Sequence, residues 1–243
     1  MHVRWRVIAA VLAGLVCVSS AASQVGASAR PDPAHPASGA PVAWQDGFGS
    51  LPVGPEWQDG HAYGGWRSQF DGWGTTAVKD VAGRPVLSQR PRPATQVDGT
   101  DASLVTSTRE FGDLDLRVRL RTVDQLRTPE PNPWEVAWVI WHYTDNTHFY
   151  YLALKPNGWE LGKEDPAYPG AQRFLATGST PRFPVGAWYD VRVRQVGDAT
   201  TVWVDGLRLT AHRDTERPYR RGAVGLYNED ADVQFRDVSV APR

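Results

Sequence analysis

Apolar and polar residues alternate along much of the chain from Trp44 onward. In Asp113 to Val123, DLDLRVRLRTV, Leu114, Leu116, Val118 and Leu120 alternate with Asp115, Arg117, Arg119 and Arg121. A period of two places the two sets on opposite faces, so the segment reads as a strand with one buried face. Tyr189 to Val196, YDVRVRQV, repeats the pattern with Val191 and Val193 inward. Gly197-Asp198 signals a hairpin into Thr200 to Asp205, and Asp205-Gly206 marks the next turn. Ala223 to Asn228 and Asp232 to Val240 supply two more strands. Glu135 to Tyr143 and His148 to Lys155 form a further pair, joined around Thr144-Asp145-Asn146. No stretch sustains a 3.6-residue period. The prediction is an all-β fold, a two-sheet antiparallel β-sandwich of roughly a dozen strands.

The amino-terminal end departs from this pattern. Arg4 and Arg6 precede a 12-residue apolar run, Val7 to Val18, and small residues come after it. That order is the signature of a secretory signal peptide over 1–29, cleaved after about residue 22 or 29. Twelve residues are too few to span a hydrocarbon core about 30 Å thick. Residues 30–43, RPDPAHPASGAPVA, read as a Pro/Ala-rich spacer. The folded domain is expected at 44–243, in a secreted, extracellular protein.

Charge narrows the partners. With 26 Lys+Arg against 27 Asp+Glu the net charge is −1, and it becomes −1 − 2 = −3 once Arg4 and Arg6 are removed. A near balance argues against a nucleic-acid partner, and against a membrane partner after signal cleavage. The chain has one Cys and one Met, both before residue 23, so cleavage leaves neither and no disulfide can hold the domain. The 11 Trp point instead to saccharides, whose C–H faces stack on flat rings.

The succession FGDLDLRVRLRT, WVIWHYTDNTHFYYLAL, WELGK, WYDVRVRQVGDATTVWVDG and GAVGLYNEDADVQFRDVSV resembles the concanavalin A-like lectin/glucanase superfamily over about residues 44 to 243. Within it, the chain is most similar to the 3-keto-disaccharide hydrolase (family 16 glycoside hydrolase-like) and laminin-G-like domains of secreted bacterial proteins. The resemblance implies a jelly roll whose concave sheet carries a poly- or oligosaccharide. It does not choose between catalysis and binding, because the fold serves both. It also implies a structural Ca2+ tying the first strand to the last. Asp46 in WQDGF and Asp237 in FRDVSV stand at those places, although a salt bridge would equally explain Asp237. No organic cofactor is expected.

Alternation then selects candidate site residues. With Leu152 and Leu154 inward, Tyr151 faces outward. The resemblance puts Ala137, Val139 and Trp141 inward, which leaves Trp134, Trp138 and His142 outward. An inward Leu161 turns Glu160 and Glu164 outward. The candidate substrate-binding set is Trp134, Trp138, Lys163, Glu164 and Asn228. The candidate catalytic set is Glu135, Glu160, His142 and Tyr151. Glycosidases pair two carboxyls, but the Glu-x-Asp-x-x-Glu strand of family 16 enzymes has no match here. Polysaccharide lyases instead need a base such as His or Tyr and a cation for the uronate. The reading is a protein that binds and cleaves or modifies a glycan, glycoside hydrolase-like; a lectin-like binding domain and a lyase acting by β-elimination are the alternatives. Arg117, Arg119, Arg121, Arg192 and Arg194 share an outward parity, partly neutralised by Asp115 and Asp190, and read as a solvated charged face against which Trp203 could stack.

Overall fold

A computed structural model describes residues 44–96 and 99–243; the expected export signal and spacer lie outside them. Among the described residues no helix is long and apolar enough to cross a membrane. The described residues form sixteen strands, in order: β1 (Trp44–Asp46), β2 (Ala62–Tyr63), β3 (Trp66–Phe70), β4 (Thr75–Val81), β5 (Arg84–Arg90), β6 (Ala102–Phe111), β7 (Leu114–Gln125) and β8 (Ala137–Asp145). Then come β9 (His148–Lys155), β10 (Gly158–Glu164), β11 (Gln172–Gly178), β12 (Tyr189–Val196), β13 (Ala199–Val204), β14 (Leu207–Arg213), β15 (Gly222–Glu229) and β16 (Ala231–Pro242).

The strands form two antiparallel sheets. A back sheet runs β14-β13-β12-β7-β16-β5-β4, with β1 paired to β16. A front sheet runs β11-β10-β9-β8-β15-β6-β3-β2. Leu114, Leu116, Val118 and Leu120 are buried, as are Val191 and Val193, so both strongly alternating segments put their apolar set into the space between the sheets. Trp66, Trp141 and Tyr150 are among the largest side chains there. The fold is the antiparallel sandwich that the alternation predicts. The β13–β14 hairpin shows the turn chemistry at work: Asp205 and Gly206 both take positive φ, 50° and 80°, which a two-residue type I′ turn requires.

Candidate functional site

The outer face of the front sheet carries a second apolar cluster, separate from the main core. Leu104, Trp138, Ile140, Phe149, Tyr151 and Ala153 form it, with Phe70, Trp134, Tyr143 and Tyr227 packed against it. Register explains the arrangement. Glu160, Ala153, Trp138, Tyr227 and Leu104 fall in one row across β10, β9, β8, β15 and β6, and Gly162, Tyr151, Ile140, Gly225 and Thr106 fall in the next. Gly162 has a specific role, because a Cβ there would collide with the Tyr151 ring. The ring centroids of Trp138 and Tyr151 lie 4.6 Å apart, and Tyr227 meets Trp138 edge-on at 5.3 Å. Trp138 Nε1 donates to the Trp134 carbonyl at 2.8 Å, and Gln172 Nε2 donates to the Tyr151 hydroxyl at 2.9 Å. The result is a fixed aromatic floor.

Carboxyl groups surround this floor in two states. Glu135 and Glu160 are paired with cations: Glu135 accepts from Arg127 Nε, from Asn132 N at 3.0 Å and from Asn132 Nδ2 at 2.8 Å, and Glu160 pairs with Lys155. Arg127 also donates to Asp230 at 2.8 Å and to the Gly99 carbonyl at 2.7 Å, so one side chain joins three connecting segments. Among the described residues, Glu164 and Glu229 have no such cation. Burial, then the charges of Asp230, Glu135 and Glu160, push Glu229 up to about 7 against the hydrogen bond it receives from Tyr227 at 2.7 Å. Burial and the charge of Glu229 push Glu164 up to about 8. Glu164 therefore keeps its proton at neutral pH.

The structure brings Trp138, Tyr151, Glu160 and Glu164 together on this face, with Trp134 at its margin. It places the other candidates elsewhere. Alternation alone would turn His142 outward, but β8 has a bulge between Trp141 and Asp145, and His142 there adopts a φ of 51°. Its ring turns inward, fully buried, with Nδ1 and Nε2 each 2.9 Å from a backbone carbonyl, of Tyr219 and Gly112. Burial lowers its pKa. Lys163 alternates with Glu164 and so also points inward; it is fully buried and donates to Asp214 at 2.8 Å, whose carboxylate also accepts from Tyr150 at 2.7 Å. Asn228 is buried too, accepting from Ser103 Oγ and donating to the carbonyls of Gln89 and Ala231. Glu135 is fully buried beneath its partners. Sequence reasoning missed Glu229, Tyr227 and Gln172. The signal for the first two was present in GLYNE, where Tyr227 and Glu229 stand two apart and share a face.

Asp46 and Asp237 approach each other where β1 pairs with β16. Asp46, however, accepts the Phe48 backbone N–H at 2.6 Å on one oxygen and the Trp66 indole N–H at 3.0 Å on the other. Calcium takes six to eight oxygen ligands, and a carboxylate engaged by two N–H donors closes a turn and anchors a core indole instead. The residues present do not fit the implied ion.

No curated protein matches the sequence. Several solved structures share the fold. The carbohydrate binding module CBM66 from Bacillus subtilis aligns with a TM-score of 0.54 at 17% identity, over 73% of this chain and 95% of that one. A laminarinase from Flavobacterium sp. UMI-01 aligns with a TM-score of 0.54 at 11% identity, over 83% and 100%. The family GH16 endo-beta-1,3(4)-glucanase SCLam gives 0.51 at 13% identity, over 82% and 90%. These likenesses establish the jelly-roll architecture. Residues 56–241, nearly all of the sandwich, match a single protein family. By that match the chain belongs to the family of the 3-keto-alpha-glucoside-1,2-lyase-like domain, also known as the 3-keto-disaccharide hydrolase domain.

Proposed function

We propose that the chain is a carbohydrate-active enzyme whose reaction takes place on the outer face of the front sheet, with Glu164 as proton donor. One observation carries this reading: a carboxyl raised to about 8 beside an aromatic floor. Trp138 and Tyr151 are buried within this floor, so a sugar would stack its C–H face on the half-buried rings packed against them, Trp134, Phe70 and Tyr227. An acid is most useful when its pKa lies near the working pH. Glu229, at about 7, is the complementary base. Environments that hold two carboxyls at different values divide acid and base roles between them.

The name of the family suggests a reaction that such a pair can serve. A keto group at C3 of a glucoside acidifies the hydrogen on C2. The Glu229 carboxylate takes that proton, the C1–O bond breaks as a C1=C2 double bond forms, and Glu164 protonates the departing oxygen. Atoms and charge balance without water or an oxidant. Charge supports a neutral substrate. Glu160 and Glu229 both act on the Tyr151 hydroxyl, while Lys155 and Arg127 are engaged with Glu160 and Glu135. A uronate placed there would be repelled.

The test uses a disaccharide oxidised at C3 of its α-glucosyl unit, with the unoxidised sugar as control. The expected result is an ultraviolet-absorbing unsaturated product and a released sugar, from the oxidised substrate and the parent protein only. Retention of the sugar without product, unchanged in Glu164→Gln, would make this face a binding surface and not an active site.

A further inference from the structure

The outer face of the back sheet has a different chemistry, unused by the elimination on the front face. Register sets Arg208, Trp203, Arg192 and Arg117 side by side across β14, β13, β12 and β7. The Arg192 guanidinium lies 4.8 Å over the Trp203 ring. Further along, Arg121 and Arg236 lie 5.1 and 4.5 Å from the Trp188 ring. Stacked on indoles, these guanidiniums are held in fixed planes instead of sweeping through solvent.

Arg236 also lies 3.6 Å from Asp237, but at the Arg192 end the positive charge is only partly balanced locally. Asp115 is one carboxylate contacted by three guanidiniums: Arg192 in a two-pronged contact at 2.8 and 2.6 Å, Arg243, and Arg117 at the long distance of 4.0 Å. Burial and then the charge of Arg192 hold Arg117 below its usual value. Excess guanidinium charge of this kind, on a planar fork, suits carboxylates presented by a ligand. Adjacent strands are about 4.8 Å apart, so neighbouring positions in the row repeat at an interval comparable to one sugar ring of an extended polysaccharide. The chain as a whole is nearly neutral, so the attraction is local to this face and lacks the broad positive field that nucleic-acid binding draws on.

We propose that this face docks a polyuronate, a polysaccharide bearing a carboxylate on its sugar units, independently of the front face. The attachment would hold the protein to an acidic matrix while the front sheet stays free for its own substrate.

Affinity electrophoresis of the full chain in gels containing sodium polygalacturonate tests this, with dextran as the neutral control. Polygalacturonate should retard the protein at about 50 mM salt, and retardation should weaken roughly tenfold by about 200 mM. The double variant Arg117→Gln/Arg208→Gln should lose about tenfold in affinity. Arg208 is exposed and Arg117 is only weakly paired, so the melting temperature should stay the same. The front-face variant Trp138→Ala should be retarded like the parent. No retardation of the parent, equal retardation of the double variant, or loss of retardation in Trp138→Ala would overturn the proposal. So would equally strong capture by duplex DNA or by phosphatidylglycerol vesicles, which would indicate a general polyanion surface.

Discussion

The two outer faces of the sandwich treat a buried carboxyl in opposite ways. Asp115 on the back sheet and Glu164 on the front sheet both end an outward-pointing side chain among close neighbours. Burial alone would raise both. For Asp115, the hydrogen bonds and charges of Arg192 and Arg243 outweigh burial and hold the group below its ordinary value. For Glu164, the neighbouring charge is Glu229, which adds to burial and raises it to about 8. Burial sets the scale of such a shift, and the sign of the neighbouring charge sets its direction. One face thereby stores permanent charge, and the other holds a transferable proton.

The same chemical change on the two faces should therefore have unlike consequences. The largest expected effect is on turnover: Glu164→Gln removes the proton donor and should lower kcat about a hundred- to ten-thousand-fold on the 3-keto substrate. In the parent, the proposed elimination requires Glu229 ionised and Glu164 protonated. The pH profile should accordingly be a narrow bell, falling below about 7 and above about 8. A profile flat from about pH 6 to 9 would remove both residues from the chemistry. Next in size is Asp115→Asn, which leaves Arg192 and Arg243 without their shared anion and should cost about 3 kcal/mol of stability by denaturant unfolding. A cost near zero would mean that the back-face charges are held by something other than this pairing.

Smaller effects sharpen the contrast. Trp138→Ala removes half of the stacked pair and should weaken sugar binding about tenfold by calorimetry, with the back face unaffected. Glu164→Gln should also raise the melting temperature at about pH 9. Glu164 binds its proton more tightly folded than unfolded, so its contribution to stability is lost as pH rises from the unfolded value of 4.5 through about 8. Glutamine does not titrate, and a gain of about 2–4 °C at about pH 9 is expected for a domain of this size. The smallest expected effect is none. Because Asp46 is already engaged by Phe48 and Trp66, a chelator should leave melting unchanged; a marked drop would restore Asp46 and Asp237 as calcium ligands.

Much of the front face was legible in alternation, because a strand's period of two is a geometric property of the backbone. Tyr151, Glu160 and Glu164 are recovered that way, and Trp138 from the family resemblance. The failures have local causes. His142 sits where a bulge adds residues to β8 and turns its ring inward beside Trp141. Lys163 and Asn228 look suited to ligands as residue types, but both lie on the inward parity and are spent on internal partners. Glu135 stands before β8, where no alternation applies, and it is Arg127, eight residues earlier, that claims its carboxylate. The charge state of Glu164 depends on Glu229, which is distant in the chain and close only after β15 is laid beside β8.

Arg127 has a consequence that reaches past packing. It engages Glu135 and Asp230 together, two of the charges that raise the proton affinity of Glu229, and its own positive charge partly offsets theirs. The proton affinity of Glu229 is thus tuned at a distance by a residue outside the front face. For protein engineering, this is a control point: changing one cation in a connecting segment would shift the acidity of Glu229 without altering Glu229 itself.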